Sequence, residues 1–570
     1  MPLKDRLHEL TPEQRELFEL FLKKERLSLE AESHYRAPSG AAERALADIW
    51  LELLGVEPGV DDNYFALGGD SITIIRMISR ARSQGIALRA SWVFSHPTIA
   101  ELASLSQAEQ AAALPPARDP DWQEQATRAL EGDPDRGKFL DTRSVRPVNA
   151  YPMTSLQQGI LYHALDAASE GAYVVQWRFR LKGQFDMARF RNAWRLLIER
   201  HEALRTIFQW TGVEEPMQVI VERADSAITE EDAASGARLA TEAAIFDEER
   251  RTPFDLSKAP LMRIRFVRIA EDEWLSFWTH HHLILDGWSQ QILLEELFAA
   301  YRGAKLAPAP VGVFKDHIYR QRAQETSSAI EFWRREFDGY QPAPSRPVRR
   351  HGCLQAILTR PVAGTGRLRE LLKHHAVTLS ALYQALWSVA LAEITERLDV
   401  AFGVTTSGRT SGAPSIERAV GLFINTLPFR ITVDPSLPFA IFLKMVQERQ
   451  ARLVEYEWCG LNSVQRWIEW DLQTPLVDSV YVYEKFPLDF AGLERQEGLA
   501  VQDIETTTHE HYPLVFIVQD QEDTTTLTLK HAAPDEETAR RLDRLLDRIA
   551  AVPARLASSP ELSVGNLLII

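Results

Sequence analysis

Cysteine is nearly missing from this sequence: Cys353 and Cys459 are the only two in 570 residues. They are too few for a disulfide framework and lack the spacing of metal ligands, so a reducing cytosol is the expected home. No window approaches the roughly 18 uninterrupted apolar residues that a membrane span needs. The opening MPLKDRLHELTPEQRELF places charges where a secretory leader would have an apolar core. Positive charge is in deficit, with 64 basic against 80 acidic residues and a net charge of −16. Such a field repels phosphate backbones, and nucleic acid is not an expected partner. The local basic run Arg346 to His351 reads as a solvated loop.

What is present is ordinary soluble composition, 45% apolar and 25% charged, in a chain long enough for several domains. Residues 1–36 read as a helical leader or docking segment. Thr11-Pro12-Glu13-Gln14 supplies a helix start, followed by the apolar face of Leu17, Phe18 and Phe21. Residues 37–106 read as a small helical bundle. It has helical periodicity over 41–54 and 71–83, a third helix starting near Pro97, and stops at Gly55 and Gly85. Residues 107–147 lose periodicity and are rich in Ala, Pro, Asp and Arg, a linker composition. From Tyr151 onward strands alternate with helices. Strands are expected at 174–181, 275–282, 400–406 and 478–483, and helices at 189–201, 289–301 and 536–556.

Two strings carry chemistry. In Asp62-Asn63-Tyr64-Phe65-Ala66-Leu67-Gly68-Gly69-Asp70-Ser71-Ile72 a serine follows a Gly-Gly turn at the start of an apolar helix. The glycines clear space around it, and a helix N-terminus favours an anionic substituent. Taken alone, Asp70 or Ser71 reads first as a helix cap, the commonest reason for either residue at such a place. The whole string resembles the peptidyl carrier proteins of non-ribosomal peptide synthetases. The resemblance implies a four-helix carrier bundle with a 4'-phosphopantetheine arm on Ser71. Asp70 stands where many such carriers have His, which leaves the stereochemistry of the cargo open.

The second string is His280-His281-His282-Leu283-Ile284-Leu285-Asp286-Gly287-Trp288-Ser289. Successive strand residues point to opposite faces, so three consecutive histidines cannot converge on one ion, and no metal is expected. An imidazole can accept the proton of an amine attacking a thioester. With Tyr151 to Gly159, Arg200 to Thr206, Phe314 to Asp316, Val420 to Pro428 and Asp478 to Pro487, the string resembles condensation domains of the chloramphenicol-acetyltransferase-like superfamily over residues 148–570.

That resemblance implies a two-lobed α/β domain, with lobes of about 148–320 and 321–570 and a tunnel between them. His282 would be the catalytic histidine, grouped with His281, the salt-bridge residue Asp286, and Gly287 beside the reacting centre. Arg205 and Arg409 are both candidate partners for Asp286. Trp288 and Ser289 are candidates for the tunnel wall, and Asn425 for the seam between lobes. The implied function is transfer of a donor acyl or peptidyl group from Ser71 to the amine of an acceptor on another carrier. Ester formation, release onto a free small molecule, and a non-catalytic platform are the alternatives. The motif details lean toward a donor ending in a D-configured residue. Implied partners are a phosphopantetheinyl transferase, an adenylation or other loading enzyme, and an acceptor carrier, the chain itself being a monomer. The chain reads either as a fragment of a longer synthetase or as a small subunit working in trans, and the apolar ending Leu567-Leu568-Ile569-Ile570 leans toward a further domain after it.

Overall fold

The computed structural model describes residues 35–109, 146–165, 172–213, 215–233, 242–342, 356–362, 365–411, 413–471, 474–485, 498–508, 510–521, 524–533, 535–558 and 562–567. The expected leader helix and the body of the expected linker lie outside these residues.

Four helices form the first unit: α1 (Ala41–Leu54), α2 (Ser71–Ser83), α3 (Ala90–Ser95) and α4 (Ile99–Glu109). Leu46, Ile49 and Trp50 on α1 face Met77 and Ile78 on α2, Val93 on α3 and Leu102 on α4, closing a small core of their own. α1 stops at Gly55, whose φ of +72° ends the helix in the left-handed conformation. The sequence pattern misses α3, because six residues are less than two turns and show no periodicity.

The remaining chain builds two lobes. The first contains β1 (Pro147–Pro152), α5 (Ser155–Leu165), β2 (Val174–Gly183), α6 (Met187–Arg200), β3 (Thr206–Gln209), β4 (Met217–Val221) and β5 (Ile228–Asp232). It continues with α7 (Glu242–Arg251), β6 (Met262–Ala270), β7 (Glu273–His281), α8 (Gly287–Tyr301), α9 (Val313–Arg322) and α10 (Thr326–Glu336). The second contains β8 (Ala356–Val362), α11 (Thr365–His374), α12 (Leu379–Thr395), β9 (Asp399–Thr406), β10 (Asn425–Thr432), α13 (Phe439–Val454) and α14 (Leu461–Trp467). It ends with β11 (Ser479–Glu484), β12 (Leu499–Thr508), β13 (Leu514–Asp520), β14 (Thr525–His531) and α15 (Glu536–Ser558).

The second lobe centres on a six-stranded sheet of order β10-β9-β11-β13-β14-β8. Its helix α12 is apolar nearly all round and buried along most of its length, the pattern of a helix inside a core rather than on a surface. No single helix among the described residues is long and apolar enough to cross a membrane.

The first lobe has a five-stranded sheet of order β12-β2-β7-β6-β5 and a small sheet β1-β4-β3. Strand β12 belongs to the second lobe by sequence but pairs antiparallel with β2, from Leu499 opposite Gly183 to Thr508 opposite Val175. The two lobes therefore share one sheet. Gly183 permits the crossing: with φ +125°, any Cβ there would lie 2.0 Å from the Gly498 carbonyl oxygen. Strand pairing over more than 300 residues leaves no mark in local periodicity, so the sequence division near residue 320 does not foresee this bridge.

Candidate active site and carrier site

Ser71 is the first residue of α2, and Asp70 before it is the cap. Asp70 Oδ1 accepts the backbone N–H of Ile72 (3.1 Å) and of Thr73 (2.8 Å), while the Thr73 hydroxyl accepts from the Asp70 N–H (2.8 Å). That reciprocal arrangement is a capping box, so the cap of α2 is Asp70. A Cβ at Gly69 would meet the Tyr64 ring at 2.2 Å, so only glycine lets the loop fold back on this core tyrosine. A phosphodiester on Ser71 fits this position. It would sit at the start of a 13-residue helix, where the dipole favours negative charge.

The histidine string begins in the middle strands of the first lobe. His280, His281 and His282 run off the end of β7 into three different surroundings. His280 Nε2 lies 2.9 Å from Gln290 Nε2. His281 is buried, and its Nδ1 accepts the Leu283 N–H at 3.2 Å. Burial, with His282 beside it, pushes the pKa of His281 down to about 3, so it stays neutral. His282 alone of the three lines the interlobe cavity. Its Nδ1 lies 2.9 Å from the Leu285 carbonyl. A carbonyl only accepts, so Nδ1 carries the proton and Nε2 holds the lone pair of the neutral ring. Among the described residues no group of three His, Cys, Asp or Glu side chains could hold a metal ion.

Between the histidine and the aspartate, Leu283, Ile284 and Leu285 are all core residues, anchoring the turn from beneath. The first motif supports the same turn: the buried Gln157 on α5 donates Nε2–H to the Leu283 carbonyl at 3.0 Å. Asp286 then caps α8, accepting the Ser289 N–H at 2.7 Å. It is fully buried and does not line the cavity. Its other oxygen accepts the Phe423 N–H at 2.9 Å, and Arg409 Nη2 reaches both oxygens at 3.2 and 3.4 Å. Arg409 also donates to the carbonyls of Ile416 (2.6 Å) and Ala419 (2.9 Å), and its guanidinium lies 4.1 Å from the Phe423 ring centre. The Asp286–Arg409 pair thus rivets the histidine loop of one lobe to the Ser407-to-Phe423 segment of the other.

Several expected residues take other places. Arg205 is not the partner of Asp286; it donates to the carbonyls of Ile198 (2.9 Å) and Val221 (2.6 Å), tying α6 to β4, and is not at the cavity wall. Ser289 is fully buried and exchanges hydrogen bonds with the Gly421 backbone (2.7 and 3.0 Å) and Arg409 (3.1 Å), so it cannot approach a reacting group. Asn425 is at the seam but not in the cavity wall, donating to the carbonyls of Glu457 and Cys459, each at 2.7 Å. Trp288 does line the cavity, held by its Nε1–H to the Glu417 carbonyl at 2.8 Å, and Gly287 lines it at the N-terminus of α8.

The cavity has a volume of about 1660 Å³ and runs between the lobes. Its wall takes in the carrier residues Ile72, Ile75 and Phe94, His282 and Trp288 of the first lobe, and residues of β12 and β14 including Thr506 and Lys530. Two wall residues carry polar chemistry that the motifs do not point to. Glu457 accepts the Thr410 N–H (2.8 Å) and hydroxyl, and burial pushes its carboxyl up to about 7. Tyr173 packs edge-on to His282, ring centres 6.5 Å apart, and hydrogen-bonds His511 Nδ1. His511 in turn stacks on His163 at 3.9 Å. The only hint of Glu457 in the sequence is an acid set among Tyr456, Trp458 and Cys459. Tyr173 looks like any aromatic at the start of a strand.

Comparison with known proteins supplies the family. Residues 148–570 match the condensation domain family, and residues 44–105 match the phosphopantetheine attachment site family. A linear gramicidin synthase of Brevibacillus parabrevis is 33% identical over 438 residues, covering 73% of this chain and 6% of that protein. Chondramide synthase cmdD of Chondromyces crocatus is 32% identical over 418 residues, covering 65% and 11%. The chain thus spans only a small part of these relatives. Among solved structures, the condensation domain of the monacolin K polyketide synthase MokA superposes with a TM-score of 0.63 at 17% identity, covering 74% of this chain and all of that one. The first condensation domain of the calcium-dependent antibiotic synthetase, in complex with a substrate analogue, gives 0.61 at 18%, with the same coverage. The chain belongs to the condensation domain family of non-ribosomal peptide synthetases, preceded by a carrier domain with a phosphopantetheine attachment site.

Proposed function

We propose that this chain is a peptide-bond-forming acyltransferase in which Ser71 presents the donor and the His282 site joins it to an acceptor amine. The observation that carries this reading is that residues of the carrier helix α2 and His282 line one and the same cavity. The phosphopantetheine arm, when attached, supplies the thioester and the reach to bring it to His282. An acceptor carrier would present its amine to the same cavity.

The chain's own residues then divide the work. The Leu285 carbonyl fixes the tautomer of His282, so Nε2 can take a proton from the attacking amine. With a loaded arm on Ser71, the C–N bond would form as the C–S bond broke, and His282 Nε2 is the group that would take the amine proton and return it to the sulfur. Gly287 lines the cavity at the positive end of the α8 dipole, suited to the negative charge that develops on the carbonyl oxygen. Confinement of two tethered reactants in one cavity supplies much of the acceleration.

A phosphopantetheinyl transferase acting on Ser71, a loading enzyme such as an adenylation domain, and a downstream acceptor carrier complete the scheme, in the cytoplasm and with the chain as a monomer. Intact-protein mass spectrometry after incubation with coenzyme A and a broad-specificity phosphopantetheinyl transferase tests the first step. One added arm on wild type and none on Ser71→Ala supports the carrier role; no arm on folded wild type would overturn it.

A further inference from the structure

The carrier is seated on the condensation domain. Helix α3 packs on α13, and Val454 of α13 and Ala376 after α11 join the edge of the carrier core. Arg76 on α2 lies over the Trp288 ring, 5.9 Å from its centre, and the Ser79 hydroxyl donates to Glu417. Beside Ser71, Lys485 donates Nζ–H to Asp70 Oδ2. Lys485 directly follows β11, whose last residue, Glu484, lines the cavity.

The two oxygens of Asp70 have separate tasks. Oδ1 caps α2, a duty internal to the carrier; Oδ2 faces the other domain and meets Lys485. The pair is partly buried, with side chains 16% and 30% exposed, so it is screened less than a surface pair. Burial opposes the ionised form of Asp70, yet the Lys485 charge and the Thr73 bonds hold its carboxyl below the usual range. Capping alone would be served as well by Ser, Thr or Asn, none of which is charged. A carboxylate also has a second oxygen and a full charge to offer, and here both are met across the interface by Lys485.

We propose that Lys485 is a specificity-determining residue with which the condensation domain recognises its own donor carrier, by reading the negative charge on the residue immediately before the modified serine. The partner it fits is a carrier with an acidic residue at that position; a carrier with a neutral or basic residue there forgoes the pair. The inference rests on the donor reading above and extends it from chemistry to selection. Held this way, Ser71 begins the helix whose Ile72 and Ile75 line the cavity.

Asp70→Asn and Lys485→Met separate docking from folding. Asparagine keeps one oxygen for the cap but removes the charge, and Lys485 has no role inside the carrier. Hydrogen exchange by mass spectrometry on the full unmodified chain reads docking without any transfer reaction, so failure of the docking idea and failure of the proposed chemistry give different results. In either variant, exchange of the carrier-facing amides around Ile416–Arg418 and the end of α13 should rise about three- to tenfold. Exchange inside α1 and α8 should stay as in wild type. The double variant should be no faster than the singles, and high salt should reproduce the effect in wild type. Wild-type exchange in both single variants, or effects that add in the double variant, would overturn the proposal.

Discussion

With its oxygens taken up by Ser289, Phe423 and Arg409, Asp286 has nothing left for a substrate, and its contribution is to hold the loop that carries His282. Removing one partner leaves the other charge buried and unpaired, which costs about 3–5 kcal/mol. Asp286→Ala and Arg409→Ala should therefore each lower the melting temperature sharply, whereas His282→Ala, at the cavity wall, should melt close to wild type. Equal melting of all three would contradict the assignment of roles. His281 makes a second prediction. Its folded pKa of about 3 lies below the unfolded value near 6.5, so between these values the unfolded chain binds the extra proton. Stability must then rise with pH across that window and fall as acid is added. One such histidine contributes a slope of about 1.4 kcal/mol per pH unit. His281→Asn keeps an acceptor for the Leu283 N–H and should flatten the slope by about that amount in urea unfolding at pH 4.5 and 5.5. An unchanged slope would show that His281 is not held neutral. The motif spacing makes His282 legible in sequence, but not the choice of arginine. Arg205 and Arg409 are equal as strings, and only the fold brings a residue 123 positions away to Asp286.

At the level of elements, β12 decides how the lobes are held. It forms the edge of the first lobe's sheet while its neighbours in sequence build the second. Proline supplies no N–H to a ladder. Because alternate N–H groups of an antiparallel strand face the partner, proline at both Thr506 and Thr507 must remove at least one bond to β2. The double variant should loosen the interlobe joint and lower condensation activity, while circular dichroism retains most of its strand signal. Full activity would mean that β12 is not needed to hold the cavity. The elements legible in sequence are those with strong local signals: α1 with its Gly55 stop, α2, β7 and α15. α3 is too short to show a period, and the partner of β12 is fixed by a pairing more than 300 residues away, where β-propensity says that a strand exists but not whom it joins.

For the molecule as a whole, the proposed function takes the direction of traffic from the order of parts along the chain. The carrier precedes the two-lobed domain and has Ser71 at the start of α2, whose Ile72 and Ile75 line the same cavity as His282. On this scheme the Ser71 arm delivers its acyl group in cis to the His282 site, and an intact-mass time course tests that delivery. Acyl-phosphopantetheine from a panel of acyl and aminoacyl coenzyme A donors is installed on Ser71, and aminoacyl-carrier and hydroxyacyl-carrier acceptors are offered together. For at least one donor, the acyl group should leave Ser71 and appear as an amide on the amine acceptor. The rate should be at least about a hundredfold lower in His282→Ala. Transfer at the same rate in His282→Ala, preference for the hydroxyl acceptor, or retention of every donor on Ser71 in folded wild type would contradict delivery to the His282 site.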